Sequence, residues 1–251
     1  LFGVIGIIWF FFWNKNVTSY PRDHKKISSE ELSYIENNAP ASEAITQIPL
    51  SKLLSNLPFI AIIVATFANN WSLLVFLSFL PKFVDNELGV DLSSGSFLVL
   101  IIIPSIVSVI ALNLGGYIAD TLIKKGYKVI KVRKSANSIG FFGSAACLFT
   151  IPFLNDVYTI IGLICMTNIF TGAAAGGFGV NHADLGPKST GTLVGIASTL
   201  GTAAGVLGNI ISGIVLDLTQ SWTLVFFIAA GLLVFGGFFY LLFASDKKQF
   251  D

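Results

Sequence analysis

The chain has 251 residues, 54% of them hydrophobic and only 12% charged, with a formal net charge of +1 and a mean hydropathy of +0.79. A soluble domain carries roughly twice that charged fraction, so an ordinary soluble globule is excluded and the apolar runs must be tested as membrane spans. Cys147 and Cys165 both fall in such runs, where thiols behave as small core residues; no disulfide, metal or cofactor is expected, and no nucleic-acid partner.

Residues 1–13 form an apolar segment without an initiator Met, a basic start or a small-residue cleavage site, which argues against a signal peptide. A span needs about 20 residues, so this segment is expected to be the end of a truncated transmembrane helix. Residues 14–53 are the one long polar stretch and read as a linker. Within it, Ile27 to Glu36 predicts a short helix capped by Ser28 or Ser29, with acids in its first turn. Leu32 and Ile35 could rest on the membrane surface, and Ala39-Pro40 ends the helix.

Six complete spans follow, at about 54–80, 96–119, 136–154, 157–180, 191–216 and 220–244. The ten-residue alternation of an outer-membrane barrel is not visible. The expected fold is an all-α integral membrane bundle over 54–245, with a tail at 246–251. These spans sort the 15 Lys and Arg so that Lys82 alone lies on one side and the other fourteen on the opposite side. That asymmetry makes the side of residues 14–53, of the 120–135 loop and of the C-terminus cytoplasmic. The opposite loops lean acidic, with Asp85, Glu87, Asp91, Asp156 and Asp217. Six spans after a long linker and the end of an earlier span fit the second of two helical bundles, the usual build of a secondary transporter. The expected partners are then an N-terminal half, the lipid bilayer, a small substrate and a coupling ion. A seven-span receptor has the same topology and is the alternative.

Asn69, Asn70 and Trp71 lie midway along the first complete span, where an unpaired amide costs several kcal/mol. They either hold neighbouring helices together or wall a substrate path, the amides serving as neutral donors and Trp71 as a lid. Pro104 predicts a kink in the second span, with Asn113 as helix glue. Gly115, Gly116 and Asp120 end that span before a cluster of cations that includes Arg133. We read Gly116, Asp120 and Arg133 as a structural or conformational loop in which the acid caps or pairs with neighbouring helix ends. The cations adjoin anionic headgroups.

Asn168 and Thr171 are cavity candidates in the fourth span. That span runs through a small-residue stretch into Asn181, His182 and Asp184. Small residues let membrane helices approach closely. An ionisable group at such a helix end is a functional hypothesis by default. His182 suits a proton relay, gate or anion contact, and the alternative is a histidine satisfied at the membrane interface with Asp184 capping the loop. No Arg or Lys falls in an expected span core, which leaves His182 as the candidate cation. The fifth span carries Gly191, Gly195, Gly201, Gly205, Gly208 and Gly213, a face for tight packing.

Several of these stretches together resemble the solute carrier 17 group of the major facilitator superfamily. They are Pro21 to Glu36, Asn70-Trp71 ten residues before Leu80-Pro81, Gly115 to Asp120, Val132 to Lys134, Ile139-Gly140, and Asn181 to Pro187. The resemblance covers almost the whole chain. It implies a twelve-span carrier of organic anions or phosphate, working by alternating access and driven by proton or sodium gradients or by membrane potential. Asn70, Trp71, Asn168 and His182 would face the substrate path or coupling site, and Asp184 would join the structural loop. Two departures, Asn70 where glutamate carriers have arginine and Leu74 where sialin has tyrosine, weigh against vesicular glutamate transport.

Overall fold

The computed structural model describes residues 2–24, 26–38, 48–90 and 95–250. They fall in two compact units, Leu1–Ile45 and Thr46–Asp251. In the first, α1 (Phe2–Asn16) is 15 residues long, about 22 Å at 1.5 Å per residue and short of the hydrocarbon thickness. Helix α2 (Ser29–Asn38) carries Glu30 and Glu31 in its first turn. The Glu31 amide donates to Ser28 Oγ at 3.1 Å, so Ser28 is its cap. The expected stop at Ala39-Pro40, and Lys25 and Asp91 of the charge sorting, lie outside the described residues.

The second unit contains α3 (Leu50–Leu54), α4 (Leu57–Asn86), α5 (Gly95–Lys124), α6 (Val129–Thr150), α7 (Val157–Ala174), α8 (Asn181–Leu185), α9 (Thr190–Thr219) and α10 (Trp222–Phe243). No strand occurs among the described residues. Six helical segments are long and apolar enough to cross a membrane: Leu57–Asn86, Leu100–Lys124, Val129–Phe153, Val157–Leu185, Pro187–Thr219 and Trp222–Phe243. The protein is an all-α, multi-pass integral membrane protein.

Several boundaries differ from those expected. At 30 residues, α4 continues through Pro81 and is about 45 Å long, well beyond the hydrocarbon layer. The expected 120–135 loop shrinks to a turn between Lys124 and Val129, with Gly126 at φ 92°. Lysine stems lie along apolar surface while their ammonium groups reach water, so cations do not stop a helix leaving the membrane. Gly116 and Asp120 therefore sit inside α5, not in a loop. The fourth span does not run straight to residue 180. After α7 it widens into a π-helical turn, Ala175–Gly179, before α8.

The helices pack in the order α9–α4–α10–α6–α7–α5, with only slight contact between α4 and α5. Close approach carries much of this packing, as expected where no water drives association. A Cβ added at Gly115 would lie 2.0 Å from the Gly172 carbonyl oxygen, and one at Gly205 would lie 2.0 Å from Leu74 Cδ1. A Cβ on Gly201, Gly205 or Gly208 would run into α4, whereas one on Gly191 or Gly195 would meet no other part of the bundle within 4 Å. Part of the expected glycine face is therefore unpacked in this bundle. One end of the core is an aromatic cluster in which Phe83 meets Trp222 and Phe226 edge-on, each at 5.2 Å. At the other end, Ser245, Gln249 and Phe250 bind back onto the bundle, so residues 246–250 are not a free tail.

Candidate functional site

A cavity of about 280 Å³ opens between α4, α5 and α7, where α4 and α5 diverge. Its apolar wall includes Leu73, Phe76, Leu77, Leu148, Ile164 and Leu233. Its polar groups are Asn69 and Ser72 of α4, Ser105 and Ser108 of α5, and Thr167, Asn168 and Thr171 of α7, and none of its lining side chains is charged. Pro104, buried in α5, turns its carbonyl to the Asn168 amide, which donates at 2.9 Å. That bond fixes the orientation of Asn168, because a carbonyl can only accept.

Of the four residues expected on the substrate path, only Asn168 lines this cavity. Asn70 faces α9, its Nδ2 2.6 Å from where a Cβ on Gly201 would stand. Trp71, 5% exposed, lies over Gly208 of α9. Asn69 and Asn70 point different ways because successive helical residues are about 100° apart. Asn69 and Thr171, weighed as path or cavity candidates in the sequence, do line the cavity, while Ser72, Ser105, Ser108 and Thr167 belong to it but were not singled out for it. The available signal was a polar residue every three or four positions: Asn69/Ser72, Ser105/Ser108 and Thr167/Thr171.

His182 belongs to a second polar cluster, at the end of the bundle where α6, α8 and α10 meet. Arg133 Nε donates to Asp184 Oδ2 at 2.9 Å and Arg133 Nη1 to the Gly176 carbonyl at 3.0 Å. Asn181 donates through Nδ2 to Asp184 Oδ2 and to the Ser245 carbonyl, each at 3.0 Å, and its Oδ1 accepts from the buried Tyr240 hydroxyl at 3.0 Å. The π-helical turn supplies the Gly176 carbonyl, since a widened turn redirects backbone carbonyls from their helical partners. His182 is buried, with Nδ1 3.4 Å from the Gly179 carbonyl and Nε2 without a hydrogen-bond partner in the described structure.

Two expectations are corrected here. Arg133 is 7% exposed and lies within the Val129–Phe153 segment, so His182 is not the sole candidate cation of this half. The Lys run around it concealed its depth. The acid that pairs across helices is Asp184, while Asp120 is exposed on α5 because its helix continues past it.

The bundle and its cavity define a multi-pass membrane protein with an open, mainly apolar pocket among its spans that carries a few neutral polar groups. The sequence model of the Major Facilitator Superfamily matches residues 1–201, and the chain belongs to that superfamily. It is 34% identical over 253 residues to the chloroplastic ascorbate transporter of Arabidopsis thaliana, covering 100% of this chain and 46% of the relative. It is 32% identical over 255 residues to the chloroplastic sodium-dependent phosphate transport protein 1 of the same plant, covering 100% and 48%. To human sialin it is 33% identical over 256 residues, covering 99% and 51%. The chain thus spans about half the length of these relatives. The resemblance to the solute carrier 17 group is borne out by these transporters.

Proposed function

We propose that this chain forms the C-terminal half of a secondary active transporter of organic anions or phosphate, working by alternating access with an N-terminal half. The cavity lined by neutral polar side chains from α4, α5 and α7 carries the reading, since a membrane bundle has no structural need to surround an open pocket with amides and hydroxyls. The ascorbate and phosphate that two relatives' names give as transported support the substrate class. The protein would act by binding and conformational change, without covalent catalysis. No finding favours the seven-span receptor.

In this reading the Lys-rich ends of the spans face the cytoplasm, following the positive-inside asymmetry. His182 then lies at the cytoplasmic end, beside the Arg133–Asp184 pair, where it acts as a gate or coupling residue for protons or sodium rather than as the main substrate anchor. Gly115 and Gly172, and Gly205 with Leu74, form close helix contacts that would rearrange as the halves rock. The test is uptake of labelled ascorbate, phosphate and sialic acid by the full-length protein in liposomes under imposed pH, sodium or potential gradients. Gradient-dependent accumulation of at least one anion is expected. Accumulation that is insensitive to every gradient would exclude secondary active transport. His182→Ala is expected to alter the rate or its pH dependence, and an unchanged profile would remove the coupling role.

A further inference from the structure

The cavity of about 280 Å³ between α4, α5 and α7 is walled mostly by carbon, and no side chain in it is charged. Leu73, Phe76 and Leu77 of α4 and Ile164 of α7 line it. Leu148 and Leu233, only 1% and 2% exposed, reach it from α6 and α10. The cavity therefore passes through the gap between α4 and α5 into the bundle core, which a groove on one helix face would not do. Its few polar groups favour neither hydrogen-bonding role. Asn168 donates one N–H to the Pro104 carbonyl at 2.9 Å and keeps its second N–H and its oxygen, while a hydroxyl both donates and accepts. Ser72 Oγ is buried without a hydrogen-bond partner in the described structure. A crevice that only lipid tails enter gains nothing from such a hydroxyl, because an unpaired polar group is costly in hydrocarbon.

Selection then falls to the apolar wall. Carbon surface removed from water stabilises in proportion to its area. A charged group loses its hydration against the same wall and finds no countercharge there. We propose that this cavity is an apolar subsite for the uncharged carbon body of an organic anion, so that affinity rises with the apolar area the cargo carries beside its charged end. The inference rests on the transport reading above and narrows it. The cargo is an organic anion whose charged end lies away from this cavity, and inorganic phosphate has no carbon body for the Leu and Phe wall to cover.

The experiment uses the full-length protein in liposomes, with labelled ascorbate, phosphate and sialic acid. Uptake of whichever anion accumulates is competed by unlabelled methyl-, ethyl-, propyl- and butylphosphonate, which share one charged head and lengthen by a methylene at each step. Inhibition is expected to tighten by about threefold per added methylene. Leu73→Asn and Leu77→Asn place an amide in the wall at side chains 49% and 72% exposed, where a substitution makes little demand on folding. Each should flatten the series to less than about twofold per methylene. A flat series in wild type, no competition by any phosphonate, or a slope unmoved by both substitutions would overturn the apolar subsite alone. A lipid tail or a side chain of the N-terminal half filling the cavity produces that flat series. Uptake of all three labelled anions at the level of protein-free liposomes would overturn the transport reading itself.

Discussion

Arg133 and Asp184 form an ion pair at 2.9 Å although 51 residues separate them, with side chains only 8% and 18% exposed. Each has a further partner, the Gly176 carbonyl for Arg133 and the Asn181 amide for Asp184. Removing one member of a buried pair leaves an uncompensated charge and costs about 3–5 kcal/mol. Arg133→Met and Asp184→Leu are each expected to lose that much in thermal unfolding in detergent. The double variant should regain part of it, because no lone charge remains. Additive losses in the double variant would mean that the two groups are not coupled.

The same cluster depends on Tyr240, whose hydroxyl donates to Asn181 Oδ1 at 3.0 Å in a buried setting. Tyr240→Phe keeps the ring in place and strands that buried oxygen, at a cost of about 1–3 kcal/mol. Unfolding midpoints of this variant and of Asn181→Ala should fall together. The double variant should fall by less than the sum.

Adjacent glycines on α5 give a sharper contrast. A Cβ on Gly115 would meet the Gly172 backbone at 2.0 Å, whereas one on Gly116 would meet nothing within 4 Å. Gly115→Ala must push α5 and α7 apart and is expected to cost about 1–3 kcal/mol. Gly116→Ala should stay within about 0.5 kcal/mol of wild type. Equal effects at the two positions would refute the α5–α7 crossing described above.

The number of spans was legible in the sequence because bilayer thickness sets the length of an apolar helix, and each lysine run had only one side to occupy. Facing was less legible. In a helix apolar all round, hydrophobic periodicity does not separate a cavity wall from a helix contact. Asn70 and Trp71 therefore looked equivalent to Asn69 and Ser72, yet the first two pack on α9 and the second two line the cavity. Gly116 was chosen over Gly115 for the same reason. Arg133 was read as one more cation of the Lys124–Lys134 run, since only the fold brings Gly176 and Asp184 to it.

Outside the spans, Asp156 caps α7: its carboxylate accepts from the Thr159 hydroxyl at 2.6 Å and the Thr159 amide at 2.8 Å. These two bonds favour the charged form and hold its carboxyl below the usual range. A depressed folded-state value means that the cap contributes fully above the ordinary carboxylate range. The contribution is lost as pH falls through the lowered value. The stability difference between wild type and Asp156→Ala should therefore be constant above about pH 5 and shrink below about pH 4, as read from unfolding midpoints across pH. A difference that widens in acid would contradict this assignment.

The segment after α10 offers a last test, because it is built into the bundle by both ends of its side-chain chemistry. The amides of Gln249 and Phe250 donate to the Leu185 carbonyl at 2.7 and 3.2 Å, and Ser189 Oγ donates to the Phe250 carbonyl at 3.1 Å. The Phe250 ring is buried against Phe59 of α4, at 5.9 Å between centroids. Asn56, the cap of α4, reaches Gln249 Oε1 at 3.0 Å, and Asp246 Oδ2 accepts from the Ile130 amide in the first turn of α6 at 3.2 Å. This strap ties the ends of α4 and α6 to the turn that carries His182 and Asp184. Phe250→Ala empties the buried ring site and is expected to cost about 3 kcal/mol, unless the strap detaches first and caps the loss. The two cases separate under limited trypsin digestion, since Lys247 and Lys248 are already exposed and detachment would free their backbone from the tethers at Asp246, Gln249 and Phe250. Faster cleavage there, with the rest of the bundle resistant, is the expected outcome. A cleavage rate equal to that of wild type would show that Phe250 does not hold the strap in place.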